Sequence, residues 1–205
     1  MNKDVIHYLM LYNENQQQPA KPDGCDEGIV KGAYKLQESK KSDFGHVRIL
    51  GSGPILQYAR EAASFLESEF EISSEVWSVT SYGELRREGM ESERQNRLNP
   101  QLQKSAYVSD CFGDDTPTIA VSDYIVAVPE MIQRWVGGRF TVLGTDGFGR
   151  SDTREELRRF FEIDTKSIVL AALSTLEREG TLKEGTVKEQ SEKMGISRIR
   201  EDKAA

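Results

Sequence analysis

The sequence predicts an α/β domain with a mostly parallel sheet covered by helices on both faces. Two observations carry this. Short apolar runs rich in β-branched residues alternate with stretches whose apolar residues recur every three or four positions. Glycine-bearing turns join several of these runs directly to the helical stretch that follows.

Taken in order, Val5–Tyr12 (VIHYLMLY) reads as a buried strand. The stretch Asn13–Cys25 is polar and proline-bearing, the composition of a linker. A strand with no neighbour in its own chain leaves backbone groups unpaired, so the sequence is expected to be a fragment of something longer. The domain proper is expected from His46. Val47–Leu50 is its first strand, and Gly51-Ser52-Gly53-Pro54 turns it into a helix whose buried face carries Ile55, Ala59, Ala62, Leu66 and Phe70. A strand at Val76–Val79 precedes a polar helix over Tyr82–Arg97. Further strands are expected at Thr118–Val121 and Phe140–Leu143, with helices near Val128–Trp135 and over Thr153–Phe161. A last apolar helix covers Ile168–Glu179, and Gly180 is placed to stop it. The expected division is therefore 1–12 orphan strand, 13–45 linker, 46–180 domain, and 181–205 charged helical tail.

Composition bounds function. The 205 residues suit one domain with extensions, and 37% hydrophobic with 30% charged residues suits a globular core. With 27 Lys and Arg against 34 Asp and Glu, the net charge of −7 argues against nucleic-acid or anionic-membrane partners. No apolar run approaches a membrane-spanning length, and no signal-peptide cleavage pattern follows the N-terminal stretch. Two cysteines, Cys25 and Cys111, show no metal-like spacing, so a reducing, cytoplasmic setting is expected. Two histidines, His7 and His46, exclude any mechanism built on several imidazoles.

Candidate sites are few. Gly51-Ser52-Gly53-Pro54-Ile55-Leu56 follows a strand and opens a helix, but Leu56 stands where a dinucleotide fingerprint needs its third glycine. Pro54 suits a first helical turn, so a structural turn is preferred. In Gly144-Thr145-Asp146-Gly147-Phe148-Gly149-Arg150-Ser151-Asp152, Asp152 is placed to cap the next helix with Glu155 reaching back. Arg150 near a helix N-terminus suits an anion, but the run lacks the Lys-Ser/Thr ending of a nucleotide loop, so a rigid connector is preferred. His7 and His46 read as packing or surface residues. Cys111 sits between Asp110 and Phe112 with no reason for a lowered pKa. Arg86, Arg87, Arg94 and Arg97 alternate with acids along one helix, a solvated face or a subunit contact. No catalytic, cofactor or metal constellation emerges.

Several segments together carry a resemblance. They are Tyr12–Asn15, Glu27–Leu36, Leu50–Gly53, Val79–Arg87, Ser122–Tyr124 and Leu143–Arg154. In this order the chain resembles, over residues 4–180, the C-terminal region of the homodimeric bacterial pyruvate dehydrogenase E1 component, of the transketolase superfamily. The resemblance implies a three-layer α/β/α sandwich for 46–180, with Val5–Tyr12 closing the sheet of a preceding pyrimidine-binding domain. It implies a full-length enzyme that decarboxylates pyruvate on thiamine diphosphate with magnesium and acetylates the lipoyl group of its acetyltransferase, feeding acetyl-CoA synthesis. The implied partners are a second copy of the chain and the dihydrolipoyl acetyltransferase. The family's cofactor motif begins Gly-Asp-Gly and ends in paired asparagines; here Gly113-Asp114-Asp115 stands with no Asn-Asn pair. No catalytic, cofactor or metal residue is therefore carried over. The piece alone is expected to be inactive, to bind no thiamine diphosphate or magnesium by itself, and to serve dimer contacts and active-site access. The alternatives are a non-catalytic partner- or anion-binding module using the Gly144–Asp152 loop, or the same domain of a transketolase or another 2-oxo acid dehydrogenase.

Overall fold

The structure, a computed structural model, describes Ile6, residues 15–39 and residues 42–196. The strand expected at Val5–Tyr12 lies outside the described residues except for Ile6, and so do His7 and 197–205.

The chain runs α1 (Asp26–Lys31), β1 (Ala33–Gln37), β2 (His46–Gly51), a 3-10 turn (Gly53–Ile55), α2 (Leu56–Phe70), β3 (Ser73–Val79), α3 (Tyr82–Leu98) and α4 (Tyr107–Phe112). It continues through β4 (Thr118–Val121), α5 (Ala127–Glu130), a 3-10 turn (Gln133–Trp135), β5 (Phe140–Leu143), α6 (Arg154–Phe160), α7 (Thr165–Arg178) and α8 (Thr186–Lys193). The strands form one five-stranded sheet in the order β1-β3-β2-β4-β5. β2 lies parallel to both β3 and β4, and β5 is parallel to β4; β1 alone is antiparallel, against β3. The mostly parallel α/β sandwich expected from the pattern is therefore present, with one edge strand added.

That edge strand corrects the expected boundary at His46. Both β1 and α1 fall within 13–45, the stretch expected to be linker. β1 is short and only half-buried, so its apolar signal is weak. The ladder to β3 makes it a strand, with Ala33 opposite Val79.

Alternation along β2 sorts side chains to the two faces. Val47 and Ile49 join α2 and α7 through Ala59, Ala62, Leu66, Ala172 and Leu173. Leu50 joins the other layer, with Trp77, Leu85, Phe112 and Ile132. Burying one such leucine or isoleucine contributes about 1.5–3 kcal/mol.

α3 is a polar helix with a narrow buried stripe of Tyr82, Leu85, Gly89 and Ser92. The stripe is small because Trp135 fills the space: a Cβ on Gly89 would lie 2.7 Å from its ring. α7 ends as expected at Gly180, whose φ of +76° is open to glycine, with Thr181 N–H donating to Leu176 O at 3.0 Å. The helix expected over Val128–Trp135 is broken into α5 and the Gln133–Trp135 turn.

Candidate functional site

β2 connects to β3 on one side, while β4 lies on its other side and connects onward to β5. The carboxyl ends of β2 and β4 thus flank the point where the connections diverge, the usual place for a ligand in an open α/β sheet. Here two buried serines close that gap: Ser52 Oγ donates to Ser122 Oγ at 2.7 Å. Ser122 Oγ also accepts the Tyr124 N–H at 3.1 Å, which sets the start of the β4–α5 loop.

The β5–α6 loop locks onto this one. Thr145 N–H donates to Tyr124 O at 2.9 Å, and Thr145 Oγ1 donates to Asp123 O at 2.7 Å. Asp146 Oδ1 accepts the Val126 N–H at 3.0 Å. The approach is so close that a Cβ on Gly144 would stand 2.7 Å from Tyr124 O. Tyr124, Ile125 and Phe148 on these two loops are 43%, 52% and 77% exposed.

Beside the serine pair opens a cleft of about 660 Å³. The Gly51–Leu56 turn contributes Ser52 to Pro54 and Leu56, and the start of α3 contributes Ser81, Tyr82 and Gly83. Gln16–Pro19 and Arg60 also line it.

The remaining candidates are dispersed. Asp152 does not cap α6; it accepts the Thr153 N–H at 2.7 Å, and Thr153 is the cap, accepting Glu156 N–H at 3.3 Å. The cap thus lies one residue later than Asp152 and Glu155 suggest. The Arg150 guanidinium lies 4.1 Å from the centre of the Phe160 ring. His46 Nδ1 is 2.7 Å from Ser73 Oγ at the opposite end of the sheet. Burial pushes the Cys111 thiol up, beside Tyr107. Arg86, Arg87, Arg94 and Arg97 are all exposed on α3, with Arg87 paired to Glu84 and Arg94 to Glu91.

Sequence reasoning missed a charged network inside the sheet. Arg48, 3% exposed on β2, pairs with Glu75 opposite it on β3, and its Nη2 reaches both Asp114 oxygens at 3.0 and 3.1 Å. Lys35 Nζ reaches Glu75 at 2.9 Å. The only local signal was a charged residue inside an apolar strand. This network also bears on magnesium. Asp114 is committed to Arg48 and to the Thr116 N–H at 3.2 Å, so Gly113–Asp115 does not fit a magnesium–diphosphate ligand set. Among the described residues no group of three or more His, Cys, Asp or Glu side chains is placed to hold a metal ion. No helix among them is long and apolar enough to cross a membrane.

Comparison with known proteins places these features. Among curated proteins, the chain is 48% identical over 197 residues to the pyruvate dehydrogenase E1 component of Pseudomonas aeruginosa. It is 41% identical over 196 residues to that of Escherichia coli. In both cases the match covers 95% of this chain but 22% of the relative, so the chain spans about a fifth of their length. Among solved structures, transketolase from Leishmania mexicana matches 74% of this chain and 19% of its own, at TM-score 0.53 and 20% identity. A split-gene transketolase, described as an inactive β4 tetramer, matches 79% of this chain and 47% of its own, at TM-score 0.52 and 18% identity. These structures share the fold. The family model of the transketolase-like C-terminal domain matches residues 32–164, beginning just before β1 and ending at the cap of α7, and the chain belongs to that family.

Proposed function

We propose that this chain is the C-terminal domain of a pyruvate dehydrogenase E1 component and has no catalytic activity of its own. The observation that carries the reading is the 48% identity to such a component across 95% of the chain. The full-length protein would decarboxylate pyruvate on thiamine diphosphate and magnesium and acetylate the lipoyl group of its acetyltransferase. Thiamine diphosphate supplies the carbanion for that chemistry, and the groups that bind and activate it lie, in this reading, outside residues 1–205.

The described residues have a mechanical task. The interlocked segments 122–126 and 144–146 fix the backbone that carries Tyr124 and Ile125, so contact there loses less backbone entropy. They serve the contacts between domains and between the two copies of a homodimer, and so the path to the active site. Gln16–Pro19 lie at the same end of the sheet, against the cleft. In this reading Val5–Tyr12 closes the sheet of a pyrimidine-binding domain, and residues 13–45 cross to this one before folding onto it as α1 and β1. Residues 181–205 form an appended tail that begins by packing α8 on α7. A cytoplasmic location belongs to the same reading, supported by two free cysteines.

Turnover is to be measured for the 205-residue chain alone and for the chain joined to the region that precedes it in the relatives. Pyruvate consumption by the longer protein only is the expected result. Turnover by the chain alone, or two-carbon transfer from a ketose phosphate in place of pyruvate decarboxylation, overturns the reading.

A further inference from the structure

The arginines of α3 alternate with acids along the sequence, but not around the helix. At about 100° per residue, the exposed residues Arg86, Arg97, Met90, Arg94, Arg87 and Leu98 follow one another round the axis within a single arc of about 120°. The arc faces away from the buried stripe of Tyr82, Leu85, Gly89 and Ser92. No carboxylate of α3 stands inside it; Glu93 borders one side and Glu91 the other. In a protein with 34 acidic residues and a net charge of −7, a face of this sign is the exception.

The acids of α3 are all engaged. Glu93 pairs with Arg134 and Glu88 accepts the Tyr107 N–H at 2.8 Å, so both are held by neighbouring elements. Glu84 pairs with Arg87 and Glu91 with Arg94, each three residues apart on the helix surface. Exposed pairs of that kind are weak and open readily, so both arginines can turn to a partner. Arg86 and Arg97 have no ion-pair partner among the described residues. They project from the same side of the arc, about 16 Å apart along the axis.

Apolar side chains share this face. Met90 is 42% exposed and Leu98 71% exposed. Leu102, also exposed, follows in a loop fastened to α3 by one side chain: Asn96 Nδ2 donates to Lys104 O at 2.9 Å, and Asn96 Oδ1 accepts the Lys104 N–H at 2.8 Å. A helix and a fastened loop lose little backbone freedom on contact, which lowers the entropic cost of docking.

We propose that this face of α3 docks an acidic amphipathic helix of a partner protein. Its carboxylates meet Arg86, Arg97, Arg87 and Arg94, which bind carboxylates through two parallel N–H donors. Its apolar stripe covers Met90 and Leu98, spaced for the helix-on-helix mode of recognition. Charge complementarity selects the occupant. A chain of net charge −7 is repelled by anionic lipid and by nucleic acid, and two apolar side chains are too few for an interfacial membrane helix. The inference does not rest on the proposed function, because its test reads binding and no turnover enters.

The probe is a fluorescein-labelled 18-residue peptide of glutamate and leucine with its leucines on one helical face, titrated with the 205-residue chain by fluorescence anisotropy. Saturable binding is expected, weakening about tenfold between low salt and physiological ionic strength. A peptide of the same composition with leucines spread round the helix is expected to bind about tenfold more weakly. Arg86→Glu with Arg97→Glu, at exposed positions, should weaken binding about tenfold and leave the melting temperature unchanged. Lys183→Glu with Lys188→Glu on α8 makes the same change in net charge and should leave binding as it was. Absence of saturation up to about 1 mM overturns the proposal. So does equal weakening by the two double variants, equal binding of the two peptides, or tighter binding of phosphatidylglycerol vesicles or duplex DNA than of the amphipathic peptide.

Discussion

Ser52 Oγ donates to Ser122 Oγ at 2.7 Å, tying the carboxyl ends of β2 and β4 together where the sheet's connections diverge. The two residues are 70 positions apart in the chain, and both are buried. Because Ser122 Oγ also holds the Tyr124 N–H, this one hydroxyl sets both the closure of the gap and the path of the loop beyond it.

Ser122→Ala should therefore cost more than a surface serine. It leaves the Ser52 hydroxyl and the Tyr124 N–H without their partner, a loss of about 1–3 kcal/mol. Urea unfolding measures it; an unchanged midpoint would mean that water replaces the bond.

Gly144→Ala forces the two loops apart. Its Cβ would meet backbone on both sides, Tyr124 O at 2.7 Å and Val126 N at 2.9 Å, which no side-chain rotation relieves. The expected cost is about 1–3 kcal/mol, as for overpacking in a core. Amide exchange at Thr145 and Val126 should speed up far more than at β2. Uniform exchange across the domain would argue against a local clash.

The network around Arg48 should appear in the acid limb of stability. Burial works to raise the Glu75 carboxyl, but hydrogen bonds from Lys35 and the charge of Arg48 outweigh it, so the group titrates below its ordinary range. Asp114 is likewise lowered: burial opposes, and Arg48 prevails. A depressed folded pKa stabilises fully above the unfolded value, about 4 for these groups, and that stability is lost as pH falls through the folded value. The urea midpoint should hold near neutrality and fall below about pH 4. Asp114→Asn should remove part of that dependence; an identical acid limb would exclude the pair as its source.

Arg48→Ala should be the most damaging single change in the sheet. It leaves the Glu75 carboxylate, on a residue 8% exposed, without its arginine, and breaking a buried pair from one side costs about 3–5 kcal/mol. Arg48→Met with Glu75→Gln should recover much of the loss, because the second charge goes too. Equal destabilisation by the single and double variants would contradict a paired role.

Cys111 should alkylate slowly at neutral pH. Burial disfavours the thiolate and raises the thiol above its usual value, and only the thiolate reacts. Mass spectrometry after brief iodoacetamide treatment should find position 111 largely unmodified until urea unfolds the chain. Full modification of the folded protein would contradict this burial.

The local pattern disclosed most of the fold because buried strands and amphipathic helices carry their period with them. Val47 and Ile49 face one layer and Leu50 the other, and the spacing from Ala59 to Leu66 lies along one helix face, as the run of residues implies. The stop at Gly180 is legible for the same reason: a positive φ is a property of one residue. Short or mixed elements were not legible. β1 is a strand through its ladder with β3, and its own residues alternate too weakly to announce it. α4 is six residues long, too short to show a helical period.

The site divides along the same line. The Gly144–Asp152 run is conspicuous as a sequence, but its locking to Asp123, Tyr124 and Val126 joins residues about 20 positions apart. Asp114 looks like a broken cofactor motif until Arg48, 66 positions away, accounts for both its oxygens. The sequence alone determined the layers, the order of most elements and the resemblance to a known family, because these rest on near neighbours and on motif order. Tertiary structure decided which charges pair and where the cleft opens. Those depend on contacts that form only when the sheet brings distant residues to within a few ångströms.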